Sequence, residues 1–381
     1  MLDLKNYISD LTDTMRIAYC DHSFHSKTAS TQFLPEILRR RVGAQVDFFW
    51  DSSWEGGTPV IFSQLLGYDL IILFQSIPSG LPSCVARSHA NVILIPMLDQ
   101  LGIARGPLFN LDSFWKPFRG SKVLSFSTAV NAIAISNGIA SKYFQYMPDV
   151  SGCSQVVPGD HCLSDGLRVF FWLRRPADIS CAAVATLLSA IPNGYSIHIH
   201  LAVDPGETTL TEQDVRNAFP RSGCRSITIS RWLDKKSDLV DIVHQSDVFI
   251  GPRLEEGIGQ AFLEALAAGL CIVAPNNGTM NEYLINGVNG LLYDPSQPAP
   301  LNFEDISLIR RNTLHTAKVL SRAWKANEDR LVDYLLKPSA EFYHAAHKYH
   351  GIHYGEKASN RARIMRLLRR AKSLLPAGFG Y

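Results

Sequence analysis

Short apolar runs alternate with segments of helical spacing along most of the chain. In the first part the runs are MRIAYC (15–20), QVDFFW (45–50), DLIILFQ (69–75), NVILIPM (91–97), KVLSFS (122–127) and AIAISN (132–137). Helix-like stretches lie between several of them, at STQFLPEILRRR (30–41) and near 139–146. Ser30 or Thr31 is placed to cap the first of these, with Pro35 in or just beyond its first turn. Near-continuous apolar strands separated by helices predict a parallel sheet covered on both faces.

The segment YMPDVSGCSQVVPGDHCLSDG (146–166) breaks this rhythm and reads as an inter-domain linker and hinge, rich in Pro, Gly, Ser and Asp. The alternation then restarts, with strands at 168–173, 195–202, 225–230, 247–252, 270–275 and 290–295, and helices including 178–191 and 235–246. After about residue 302 the pattern is helical to the end. The fold class is therefore α/β. Residues 1–155 and 156–335 form two units of similar size, and 336–381 form a helical tail that can pack back on the first unit. Two such units leave a cleft, and ligands bind outside the carboxyl ends of parallel strands.

Composition narrows the function classes. Hydrophobic residues are 46% and charged residues 19%, enough to bury a substantial core. A formal net charge of only +2 argues against general nucleic-acid binding. The 7 cysteines are scattered, odd in number and without a CxxC pair, so neither a metal site nor a disulfide framework is suggested. A reducing cytoplasm fits. The N-terminus has early acids and no apolar core of a signal peptide, and no unbroken apolar run is long enough to span a membrane. The last helix sets Arg361, Arg363, Arg366, Arg369, Arg370 and Lys372 around Ile364, Leu367, Leu368 and Leu375. Such a helix can make peripheral contact with an anionic membrane surface, and the same pattern fits an ordinary surface helix.

The stretch EEGIGQAFLEALAAGL (255–270) carries the chemistry. It follows a strand, so its loop faces the cleft. Gly257 and Gly259 allow close backbone approach to a ligand, and the helix that starts near Gly259 or Gln260 offers free N–H groups suited to a phosphate. Between Glu256 and Glu282, Glu264 is the only charged residue. A carboxylate is a pure acceptor, so a ligand diol would satisfy it; pairing elsewhere or pointing to solvent are the plainer readings.

The run GPRLEEGIGQAFLEALAAGLCIVAPNNGTMNEYLINGVNGLLYDP (251–295) resembles the retaining GT-B glycosyltransferases of family 4, also called glycosyl transferases group 1. Glu256, Glu264, Asn277-Gly278, Glu282 and Asn289-Gly290-Leu291-Leu292 occupy that family's motif places in order. The likeness is strongest over 235–295. It implies a GT-B fold of two Rossmann-like domains and transfer of a hexose from a nucleotide-diphosphate sugar to a glycan or lipid-linked acceptor, as in cell-surface polysaccharide synthesis. On that pattern Glu256 meets the transferred sugar and Glu264 the ribose. The backbone of Gly257, Ile258 and Gly259 faces the sugar or diphosphate. The resemblance further implies retention of anomeric configuration, with the leaving phosphate helping to deprotonate the acceptor. No DxD motif is present, which suits a mechanism with no metal and no cofactor beyond the donor.

The chain departs from the family in three places. An arginine and, five residues on, a lysine usually hold the diphosphate; here Arg174 stands for the first and Ile179 takes the place of the second. One bidentate arginine can suffice. The usual glycines after the first strand are replaced by CDHSFHSKTAS, which puts Lys27 and Thr28 near the cleft. A histidine usually follows the strand at 91–97; Asp99 holds that place, able to accept from a sugar hydroxyl or to cap a helix, with His22 and His25 as alternatives. Two further readings share this architecture: a nucleotide-sugar epimerase, and a degenerate paralogue acting as a non-catalytic partner.

Overall fold

The computed structural model describes residues 14–77, 91–101, 115–150, 166–204, 207–220, 223–233, 235–339 and 341–342. The chain divides into two units, 1–336 and 337–381. In the second, the Glu341 N–H donates to the Pro338 carbonyl at 3.2 Å. Most of the linker and the basic C-terminal segment lie outside the described residues.

The first unit contains two parallel six-stranded sheets. Strands β1 (Arg16–His22), β2 (Gln45–Asp51), β3 (Leu70–Phe74), β4 (Asn91–Ile95), β5 (Lys122–Ser125) and β6 (Ala140–Tyr143) form one, in the order β2-β1-β3-β4-β5-β6. Every residue of β3, LIILF, is buried, as expected of a strand with both faces covered. Its helices are α1 (Ser23–Thr28), α2 (Phe33–Val42), α3 (Leu98–Leu101) and α4 (Thr128–Ser136). Helix α2 buries Leu34, Ile37 and Leu38 at helical spacing and stops at Gly43, whose φ of 66° lets its N–H return to the Arg39 carbonyl.

Three local expectations are corrected here. Neither Ser30 nor Thr31 caps α2: Gln32 is the N-cap, without a side-chain bond, because Thr31 is engaged by Asp21. The stretch AIAISN is not a strand but the end of α4. Its Ala-Ile alternation mimics a two-residue period, yet Val130 and Ala134, four apart, face the core while Ile135 is 53% exposed. The edge strand β6 falls where a helix was expected, near 139–146.

Strands β7 (Leu167–Leu173), β8 (Tyr195–Leu201), β9 (Cys224–Ser230), β10 (Val248–Ile250), β11 (Cys271–Pro275) and β12 (Leu291–Tyr293) form the second sheet, in the order β12-β11-β10-β7-β8-β9. Helices α5 (Cys181–Leu188), α6 (Glu212–Asn217), α7 (Lys236–His244) and α8 (Gln260–Ala267) connect its strands. The order reverses between β1 and β3 in one sheet and between β7 and β10 in the other. Those switch points are where doubly wound sheets open a crevice.

Helix α9 (Ile306–Leu336) runs 31 residues, about 46 Å at 1.5 Å per residue, and ties the sheets together. Near its start Arg310 reaches Asp247 at 3.0 Å, at the foot of β10. Farther on, Glu328 receives Arg40 and Arg41 of α2. At its end the buried Lys122 ammonium donates to the Tyr334 carbonyl and, at 3.1 Å, to that of Leu335. A cation is favoured there, where the last carbonyls have no helical partner. Trp324 meets Tyr146 edge-on at 5.0 Å, and Tyr146 stacks on Phe33 at 4.1 Å, so the chain leaves the first sheet through an aromatic cluster. Among the described residues, no helix is long and apolar enough to cross a membrane.

Candidate active site

The loop 251–259 follows β10 directly, at the switch point. Gly259 has φ of 72°, a conformation that favours glycine, and from it α8 begins with free N–H groups. Gly257 is pressed against the first sheet: a Cβ there would sit 2.8 Å from the Met97 sulfur. The two sheets therefore meet at this loop. Ile258 is half-buried between the two glycines. Glu256 and its neighbour Glu255 are both buried, at 6% and 8% exposure. The Glu256 carbonyl accepts from the Thr279 hydroxyl, anchoring the loop to the turn after β11.

At the centre is Arg253, which the motif spacing did not single out. Its Nη1 is 2.8 Å from Asp99 Oδ2 and 3.8 Å from Glu256 Oε2, and its Nη2 is 2.7 Å from Asp204 Oδ2. Asp204 follows β8 and also receives Arg174 at 2.7 Å and Arg175 at 2.9 Å. Three guanidinium groups thus converge on one carboxylate. Arg174 also lies over the Trp172 ring at 4.7 Å. Two atoms of the network are buried without a partner among the described residues, Asp99 Oδ1 and Arg253 Nε. Asp99, in the first turn of α3, is thus joined across the cleft to the second sheet.

The electrostatics follow from this packing. Burial pushes the Glu256 carboxyl up, and the nearby Arg253 and Arg174 offset only part of that. Burial also acts on Asp204, but there Arg174 and Arg253 win and hold the carboxyl below its ordinary value. Arg174 is lowered, by burial first and by Arg253 second. The result is a desolvated cluster in which three guanidinium groups face Asp99, Asp204 and Glu256, with burial raising the Glu256 carboxyl.

Glu264 lies in the second turn of α8, half-buried, with Gln260 Nε2 at 3.4 Å from its Oε1. Burial raises the Tyr146 phenol, and Glu264 adds to that shift, which places the carboxylate on the side of α8 toward the crossover. Ile179, at the family's lysine place, is 2% exposed and belongs to the core, so no cation stands there. Lys27 is exposed on α1 and makes no ion pair among the described residues; Thr28 shares a hydrogen bond with Ser30 at 3.0 Å. Neither joins the arginine network. Glu282 links the halves differently: one oxygen accepts from the Ser127 hydroxyl and from the Thr128 N–H and hydroxyl at 2.8–3.0 Å, capping α4 from the other sheet. Among the described residues no group of three or more His, Cys, Asp or Glu is placed to hold a metal ion.

Residues 227–317 match the family model described as glycosyl transferases group 1. No curated protein matches the chain. Among solved structures, Anabaena HepE in complex with UDP and glucose is similar at 17% identity and a TM-score of 0.58, over 84% of this chain and 100% of that one. A trehalose-phosphate synthase (UDP-forming) from Burkholderia vietnamiensis is similar at 11% identity and a TM-score of 0.56, over 85% and 98%. The lipopolysaccharide outer core galactosyltransferase WaaB, in its apo form, is similar at 15% identity and a TM-score of 0.54, over 82% and 99%. The chain has the GT-B fold with a glycosyl transferases group 1 segment in its second half, and together these support a glycosyltransferase.

Proposed function

We propose that the chain transfers a hexose from a nucleotide-diphosphate sugar to a glycan or lipid-linked acceptor, without a metal and with retention of configuration, at the cytoplasmic face of a polysaccharide pathway. The convergence of Arg174, Arg175 and Arg253 beside buried Glu256, at the switch point of the second sheet, carries this reading. Asp204 holds three guanidinium groups as a phosphate would, and a donor diphosphate is the natural competitor for them. Similarity to a structure that contains UDP and glucose supports a nucleotide sugar as donor.

In this reading the loop amides of Gly257, Ile258 and Gly259 and the start of α8 face the donor, and Glu264 accepts from the ribose hydroxyls. Glu256 meets the transferred sugar. The anomeric C–O bond breaks with its electron pair going to the diphosphate, whose new charge the arginines stabilise. The acceptor oxygen bonds to the anomeric carbon and its proton passes to the leaving phosphate. Fixed cations in a water-poor site need no reorganisation as this charge develops.

The test is incubation of the full chain with UDP-, GDP- and ADP-sugars and octyl glycosides, with product read by NMR. A new glycoside of retained configuration, absent with Glu256→Ala, is the expected result. An inverted anomeric centre in the first product sinks the retaining mechanism. Release of free sugar or epimer without any glycoside sinks transfer itself.

A further inference from the structure

One face of α9 is apolar and open to solvent. Leu308 and Val319 are 49% and 46% exposed and stand about three turns apart, roughly 16 Å along the axis. Asn312 and His315 lie between them, and the exposed Ala323 and Ala326 carry the stripe on. Steps of three and four residues keep all six on one side of the helix. The core takes the opposite side, where Thr313, Ala317, Ser321 and Trp324 are buried.

The turn before β12 widens this stripe. Asn289, itself buried, fixes the turn: its Oδ1 accepts from the Ile285 N–H at 2.6 Å, and its amide donates to the Thr316 hydroxyl at 3.1 Å. The Asn312 amide donates in turn to the Val288 carbonyl at 2.9 Å. Ile285 and Val288, 65% and 46% exposed, are therefore held beside the apolar face of α9.

Charge says what this face is suited to meet. From Ile306 to Asn327 the helix contains no Asp or Glu. Arg310 is engaged in the interior by Asp247. The other cations, Arg311, Lys318, Arg322 and Lys325, recur at helical spacing along one flank of the stripe, the flank away from the turn. Lys325 also meets Asp149 at 2.8 Å. An apolar stripe with a cationic margin is the pattern of a helix lying on a membrane, where lysine and arginine stems cover apolar surface and raise their charges to the phosphates. The apolar side chains are all aliphatic, without the aromatic anchors of a protein hot spot. A second copy would bring the same acid-free stretch against itself, cation to cation.

We infer that this face binds an anionic lipid surface, with Ile285, Leu308 and Val319 at the acyl boundary and the four flanking cations at the lipid phosphates. None of these residues belongs to the arginine network, so the surface stands whether or not the chain transfers a sugar. It is also distinct from the basic segment 361–372, which lies outside the described residues.

The test is sedimentation of the full chain with vesicles of phosphatidylcholine alone, or with about one-third phosphatidylglycerol. The chain should bind the anionic vesicles and be released by high salt. Arg311→Gln with Arg322→Gln should weaken that binding about 25-fold, about fivefold for each cation lost. Ile285→Ser with Leu308→Ser should weaken it about tenfold or more, and Arg311→Lys with Arg322→Lys should keep it. All four positions are exposed, so every variant should keep the wild-type urea midpoint. Unchanged binding in both weakened pairs overturns the inference and moves attachment to another part of the chain, such as 361–372. No sedimentation with the anionic vesicles, or equal binding to both kinds, also overturns it. A chain that ignores vesicles but dimerises in light scattering, and loses the dimer with Ile285→Ser and Leu308→Ser, overturns it in favour of a second copy.

Discussion

Arg253→Met is the sharpest perturbation of the network, because it keeps an unbranched side chain and removes only the guanidinium. Asp204 would still hold Arg174 and Arg175. Asp99 would not be so fortunate. Its Oδ2 loses Arg253, its Oδ1 already has no partner among the described residues, and its side chain is 8% exposed. Stripping one partner from a buried ion pair costs about 3–5 kcal/mol, most of it the stranded charge. At roughly 2–4 °C per kcal/mol for a domain of 150–250 residues, the midpoint falls by about 6–20 °C. Adding Asp99→Leu removes the stranded carboxylate, so the double variant should return to within about 1–2 kcal/mol of wild type. Urea unfolding of the wild type, both single variants and the double variant gives the coupling directly. If Arg253→Met costs under about 1 kcal/mol, or the double variant is merely the sum of the singles, Arg253 and Asp99 are not paired in solution and the reasoning fails.

Glu256→Gln should abolish transfer yet leave the unliganded protein as stable as wild type, or more stable, at neutral pH. Burial raises the Glu256 carboxyl above its ordinary value, so the folded state binds the proton more tightly than the unfolded one. That costs stability once pH rises past the folded value, and costs nothing below the unfolded one. A lower neutral-pH unfolding midpoint for the variant would contradict the direction of the shift. Glu264→Ala should raise the donor KM about 10- to 100-fold, the worth of hydrogen bonds to a charged group, and leave the acceptor KM alone; steady-state kinetics with each substrate varied separates the two. Lys122→Ala should destabilise by about 2–4 kcal/mol in urea unfolding, since it leaves the Tyr334 and Leu335 carbonyls without the ammonium; a loss under about 0.5 kcal/mol would mean the end of α9 does not depend on it.

The sheets were legible because both of their faces are covered, so strands such as LIILF read as unbroken apolar runs. The error at AIAISN arose where that logic weakens. The alternating isoleucines of α4 include one that is 53% exposed, and the cap that starts this helix comes from Glu282, distant in sequence. The motif spacing located Glu256 and Glu264 but passed over Arg253, although it lies only three residues before Glu256 and at a strand's carboxyl end. Asp204 and Asp21 were illegible for a different reason. A lone aspartate after a strand looks like a cap or a turn, and only the fold reveals three arginines around one and a histidine beside the other.

The proposal of a donor site in the crevice between the two sheets is tested most directly by the melting temperature of the full chain titrated with UDP, GDP and ADP, beside Arg174→Gln. At 100 times its dissociation constant a ligand adds about 2.7 kcal/mol, so one of the three should raise the midpoint by about 5–10 °C in wild type. The same nucleotide should give a much smaller rise in the variant. No rise with any of the three, or an equal rise in Arg174→Gln, would contradict a diphosphate site at these arginines.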